Sequence, residues 1–143
     1  MTGAAPAVQT RTLVVEREIA APPARLWRAL TQPHLLEEWL MKTDFQPVPG
    51  RRFTLRRQPA PGVDVVVSCQ VLEVEPERTL SYTWDAFDLE SVVTFTLTPT
   101  PSGTLLRLEQ SGFRPEQKAA YKGARASWPH FLAALDELIR RTD

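Results

Sequence analysis

The stretch that decides the fold runs Thr79-Leu80-Ser81-Tyr82-Thr83-Trp84 and, after a break at 85–88, Ser91-Val92-Val93-Thr94-Phe95-Thr96-Leu97-Thr98, then, after 99–103, Leu106-Arg107-Leu108-Glu109-Gln110. In each run large apolar side chains alternate with polar ones, which is the period of an antiparallel strand with one buried and one solvated face. Parity puts Leu80, Tyr82 and Trp84, then Val93, Phe95 and Leu97, then Leu106 and Leu108 on one concave side, joined by Phe53 and Leu55. The threonines 94, 96 and 98, with Arg107 and Glu109, face outward. Almost everything from Arg51 to Gly112 reads as strand, with breaks at 58–62, 75–78, 85–88 and 99–103. The segment 63–74 does not alternate cleanly, so a bulge is expected there.

On either side of this meander the period changes. Leu13, Val15 and Ile19 make a first strand, and Arg17 falls on their face, where it needs a carboxylate. Two short helices follow, over 21–30 (Leu26, Trp27, Leu30) and 33–40 (Leu35, Leu36, Trp39, Leu40), each with proline in its first turn. After Gly112, with Pro115 expected in the first turn, Trp128, Phe131, Leu132, Leu135, Leu138 and Ile139 recur at helical spacing. Pro129 lacks the N–H that would bond the Arg125 carbonyl, so a kink or a fresh start near Ser127 is expected. Strand, two short helices, several strands and a long helix make an α+β fold. Residues 1–9 read as a flexible N-terminus and 10–143 as a single domain.

Composition narrows the function. Of the 143 residues 43% are hydrophobic, and 17 basic residues balance 17 acidic ones, leaving no net charge with which to neutralise a phosphate backbone, so nucleic acid is not expected as a partner. No run approaches the roughly 18 apolar residues of a membrane span, and no secretory signal is visible, so a cytoplasmic location is expected. The single cysteine, Cys69, sits in a valine-rich strand with no Cys or His partner, and reads as a small buried side chain. No nucleophile, metal-ligand or glycine-rich phosphate motif is present, and His34 and His130 occupy helix positions away from the expected core. No catalytic residue, metal or cofactor is therefore assigned.

Particular words in this order carry a resemblance: Arg17-Glu18-Ile19-Ala20-Ala21-Pro22, Leu26-Trp27-Arg28-Ala29-Leu30-Thr31, Trp39, Val74-Glu75-Pro76-Glu77-Arg78-Thr79-Leu80, Tyr82-Thr83-Trp84, Ser91-Val92-Val93-Thr94-Phe95, Gly103-Thr104, Gln110-Ser111-Gly112-Phe113 and Trp128. Across 12–141 the chain resembles the START-like (SRPBCC) domains of the family homologous to the activator of Hsp90 ATPase. The resemblance implies a helix-grip fold, a curved antiparallel sheet wrapped around a long C-terminal helix with a cavity between them. Two departures are visible: Gln110 stands where many relatives have histidine, and Ser127-Trp128-Pro129 where many have Gly-Trp. A glutamine cannot transfer a proton near neutral pH.

The family spans lipid-binding proteins, small-molecule carriers, stress-response proteins, cyclase-type enzymes and chaperone cofactors, and fold membership does not choose among them. With four tryptophans, six phenylalanines and two tyrosines, the implied cavity is expected to be walled by Trp39, Phe53, Trp84, Phe95, Trp128 and Phe131. Tyr82 and Gln110 supply its polar groups. A small apolar or amphipathic molecule is then the expected partner. The same aromatic residues would equally build a plain core, and Gln110, on an inward parity, needs either hydrogen-bond partners or a wet pocket. The alternatives are a co-chaperone surface for an Hsp90-type partner, for which Arg51, Arg52, Arg56 and Arg57 form the one candidate patch, and a cyclase- or hydrolase-type enzyme using the cavity. For assembly, a monomer or weak homodimer is expected.

Overall fold

The computed structural model describes residues 9–142. The element order is β1 (Arg11–Ile19), α1 (Pro23–Thr31), α2 (Pro33–Trp39), β2 (Lys42–Thr43), β3 (Arg52–Ala60), β4 (Val63–Glu75), β5 (Thr79–Ala86), β6 (Leu89–Thr100), β7 (Gly103–Phe113) and α3 (Lys118–Arg141). The seven strands form one antiparallel, curved sheet in the order β1-β7-β6-β5-β4-β3-β2. The two short helices and α3 lie on its concave face, giving the α+β helix-grip architecture. Of the segment expected to be flexible, residues 1–8 lie outside the described residues, and Gln9 is exposed.

The concave face follows the parity of the sequence. Phe53, Leu55, Leu80, Tyr82, Trp84, Val93, Phe95, Leu97, Leu106 and Leu108 are all buried. The expected bulge in β4 is present, where the register with β5 shifts between Val71 and Glu73 and leaves Leu72 exposed. A second bulge falls at Gly112, whose φ is +111°. A Cβ there would come 2.8 Å from the carbonyl oxygen of Glu90, so only glycine fits. The turn expected at 85–88 is tighter, with Phe87 and Asp88 alone between the paired residues Ala86 and Leu89.

Local structure departs from the expected pattern at four points. The strand β3 runs on to Ala60, so the break at 58–62 shrinks to Pro61-Gly62. Lys42–Thr43 adds a short edge strand to β3 that no periodicity announced, held as the Thr43 hydroxyl donates to the Thr54 carbonyl at 2.8 Å. The last helix starts at Lys118, not around Pro115. Gln117 explains the delay: its Oε1 accepts from the backbone N–H of Arg114 (2.9 Å) and its Nε2 donates to the Asp88 carbonyl (3.0 Å), which ties the approach to α3 to the β5–β6 turn. The helix then continues through Pro129 without a break. Arg125, Ser127 and Pro129 are exposed, so the carbonyl that proline leaves unpaired is on the solvent side of the helix, where its loss of a helix partner costs least.

The far end of α3 is fastened by charge. Arg17 Nε donates to Asp136 Oδ2 at 2.9 Å and Arg140 Nε to Oδ1 at 3.1 Å, so the carboxylate that Arg17 requires comes from α3, and both of its oxygens are bonded. The Arg25 guanidinium of α1 donates to the Ile139 carbonyl (2.6 Å) and to that of Thr142, satisfying the last turn. Asp136→Ala should lower stability by about 2 kcal/mol, because it removes two charge-assisted bonds and strands Arg17 at the sheet edge. Urea midpoints of the two proteins measure this, and an unchanged midpoint would refute the role.

Burial pushes the Cys69 thiol well above its ordinary range, with smaller contributions from Asp85 and Asp44. The fold therefore keeps the neutral thiol, while the unfolded chain ionises it, so its contribution is present at neutral pH and lost as the pH rises past the unfolded value. The stability advantage of the natural protein over Cys69→Ala should shrink between about pH 7.5 and about pH 9.5, read from paired thermal melts.

Candidate functional site

Two halves of α3 treat the sheet differently. From Phe131 onward, Leu132, Leu135, Leu138 and Ile139 are buried against β1, the short helices and the sheet. The first half presents Ala119, Ala120, Gly123, Ala124 and Ser127 instead, side chains too small to reach across. The missing bulk leaves a cleft of about 260 Å³. Trp84, Leu89, Gln110 and Trp128 border it from the sheet and helix, Phe131 closes one end, and Met41 with Arg57, Pro59 and Val65 of the β3–β4 hairpin stand on the other side. A Cβ added at Gly123 would touch nothing within 4 Å, which shows how open this half is. At Met41, Arg57 and Val65 the cleft adjoins an outer groove of about 470 Å³ that Glu37, Lys42, Arg56 and Asp64 also border.

A chain of hydrogen bonds builds the floor. Trp128 Nε1 donates to Gln110 Oε1 at 2.7 Å, Gln110 Nε2 donates to Ser91 Oγ at 3.0 Å, and the Ser91 hydroxyl donates to the Trp84 carbonyl at 2.7 Å. Gln110 is 1% exposed and Trp128 2%. Gln110 thus finds partners at both ends of its amide. The indole of Trp128 lies 5.2 Å from that of Trp84 and 5.6 Å from the ring of Phe131, centroid to centroid, in tilted and edge-on geometry. Pairs of this kind add about 0.5–1.5 kcal/mol each beyond the area they bury.

The eight residues singled out from the sequence divide evenly. Trp84, Gln110, Trp128 and Phe131 come together at the cleft. Trp39, Phe53, Tyr82 and Phe95 are buried behind it and do not border it. Trp39 donates its indole N–H to the Ala29 carbonyl at 2.9 Å and packs edge-on against Phe95. Phe53 and Tyr82 form an aromatic cluster with Phe45, a buried residue that sequence patterning passed over. Parity identifies the face a side chain occupies but not its distance from the thin half of the helix. Met41 and Val65 also went unassigned, and Arg57 was placed only in the candidate patch for a protein partner; the signal that could have marked this end is the run of small residues 119–127 in an otherwise bulky helix.

Titratable side chains stand apart from the floor. Glu109 Oε1 accepts from Arg107 Nε at 2.8 Å on the outer face, His34 and His130 are exposed, and Asp85 is half-buried without bordering the cleft. Among the described residues no group of three or more His, Cys, Asp or Glu side chains converges as a metal site. Gln110→Leu should cost about 1–3 kcal/mol, since the Trp128 N–H loses its buried acceptor. Denaturant unfolding provides the measurement, and a variant as stable as the natural protein would show that the amide bridge holds nothing.

Comparison with known proteins places this architecture. No functionally curated protein matches the chain. Among solved structures it is similar to protein MLL2253 from Mesorhizobium loti, with 60% identity over 93% of this chain and 99% of that one and a TM-score of 0.86. It is similar also to protein NE0264 from Nitrosomonas europaea (26% identity, 92% and 96% covered, TM-score 0.82) and to a protein from Rhodobacter sphaeroides (25% identity, 94% and 100% covered, TM-score 0.81). The model of the family described as activator of Hsp90 ATPase homolog 1-like protein matches residues 20–140, from just after β1 to the last turn of α3, and the chain belongs to that family.

Proposed function

We propose that this protein binds a small apolar or amphipathic molecule in the cleft between the sheet, the β3–β4 hairpin and the first half of α3. One observation carries the reading: directly beside a tightly packed core, the same helix and sheet leave about 260 Å³ open, bordered by Trp84, Trp128, Phe131, Leu89 and Met41. An apolar surface of this kind gains by covering itself with an apolar guest, at about 25 cal/mol per Å² of surface withdrawn from water. The floor is pre-formed, because the hydrogen bonds through Gln110 and Ser91 hold both tryptophans without any guest, and a pre-organised wall loses little entropy on binding. Membership of a family whose fold encloses a cavity agrees with this reading but does not select it from the family's other functions.

The space itself is the object of the test. Ala124 borders the cleft from the helix, and leucine there would occupy it while remaining a good helix former. Decan-1-ol titrated into the natural protein should change the emission of Trp84 and Trp128. Ala124→Leu should weaken that binding at least about tenfold, a loss of roughly 1.4 kcal/mol, with the thermal midpoint unchanged. Undiminished binding in Ala124→Leu would put the alcohol elsewhere, and no binding by the natural protein would overturn the reading.

A further inference from the structure

We infer that the molecule held in the cleft carries one negative charge on an apolar body, and that Arg57 binds that charge; the inference rests on the reading of the cleft as a ligand site. Among the described residues bordering the cleft, Arg57 is the one charged side chain. It stands where the cleft meets the outer groove, with its guanidinium carbon 5.9 Å from the centre of the Phe131 ring. An anion placed there would meet the cation at the edge of an aromatic wall, with the apolar body inward and the outer groove open to water.

The surrounding charges leave this cation available. Some arginines of the described structure meet carboxylates, as Arg17 and Arg140 do at Asp136 and Arg107 at Glu16 and Glu109, while others, Arg28, Arg51, Arg52, Arg56 and Arg125 among them, do not. Arg57 has no carboxylate within 4.0 Å among the described residues. The two acidic residues of the outer groove are engaged with other partners: Glu37 Oε1 lies 3.9 Å from Lys42 Nζ, and Asp64 Oδ1 accepts from Gln58 Nε2 at 3.1 Å. The Arg57 backbone is held by pairing with Val65, the last regular pair before the hairpin's register shift, so the side chain projects from a fixed ladder.

The chemistry of the guest follows from these groups. A planar guanidinium matches a carboxylate with two parallel N–H donors, and the apolar wall beside it lowers the local dielectric and strengthens the attraction. A cationic head group would find no carboxylate bordering the cleft and would face Arg57 as a like charge. At the floor, the Gln110 carbonyl oxygen already accepts from Trp128. The order of preference is therefore anion, then neutral, then cation, for apolar bodies of one size.

Calorimetric titration of the full chain with decanoate, decan-1-ol and decylamine at neutral pH, each below its solubility or micelle-forming limit, tests this. Decanoate should bind about tenfold more tightly than decan-1-ol, and decylamine more weakly than either. In Arg57→Gln decanoate and decan-1-ol should bind alike, at the strength of decan-1-ol in the natural protein. Arg56→Gln, next along the strand but outside the cleft, should keep the preference. If decan-1-ol and decanoate bind equally to the natural protein, or if the preference survives in Arg57→Gln, the charge assignment is overturned while the cleft stands as a binding site. If none of the three binds, the site reading falls and this inference with it.

Discussion

The bond from the Trp128 indole N–H to the Gln110 amide oxygen joins the middle of the last helix to the sheet, and a slide of either would break it. Both groups are almost fully withdrawn from water, and a buried donor left without its acceptor costs about 1–3 kcal/mol. Any rotation of α3 that moved Trp128 off Gln110 would meet that cost and would also separate Trp128 from Trp84 and Phe95 on the sheet. From this point the bonds run through Ser91 to the carbonyl of Trp84, so the helix reads its position from three adjacent strands.

With the helix pinned near its middle, its two halves are free to differ. The C-terminal half is fastened by Leu132, Leu135 and Leu138 and by the arginines that meet Asp136 and the last carbonyls. The N-terminal half is held mainly at its start, where Gln117 reaches the β5–β6 turn, and so tolerates alanine and glycine where a packed helix would need leucine. Stability and opening are thus assigned to different lengths of the same helix. A cleft made by deleting bulk from one stretch keeps its shape because the neighbouring stretch is buried against the sheet and the short helices, where close packing resists collapse.

The strands were legible because their chemistry is local. Alternation in 79–84, 91–98 and 106–110 states which side chains go inward, and an antiparallel sheet with one solvated face preserves that statement residue by residue. The bulge in β4 was legible for the same reason, as a break in alternation. Arg17 announced that it needed a carboxylate, but Asp136, 119 positions away, stands on an element whose rotation only packing sets. The late start of α3 and the edge strand Lys42–Thr43 were not legible, since each rests on hydrogen bonds to remote backbone, at Asp88 and Thr54.

For the candidate site the division follows the same line. By itself the sequence determined the face: Trp84, Gln110 and Trp128 were placed together by parity and helical period, and the structure brings them into contact. It also determined that Gln110 needed either partners or a wet pocket, because an inward amide cannot be left bare. Only the tertiary structure decided which of these held, and which aromatics border open space. Phe53, Tyr82 and Phe95 share the inward parity, and Trp39 lies on the apolar stripe of α2, yet all four are buried away from the cleft, because depth behind a surface depends on what crosses over it. Arg57 shows the converse. It shares the inward parity of Phe53 and Leu55 yet stays exposed towards the end of β3, and that it borders the cleft depends on where the β3–β4 hairpin stands relative to α3, which no local pattern encodes.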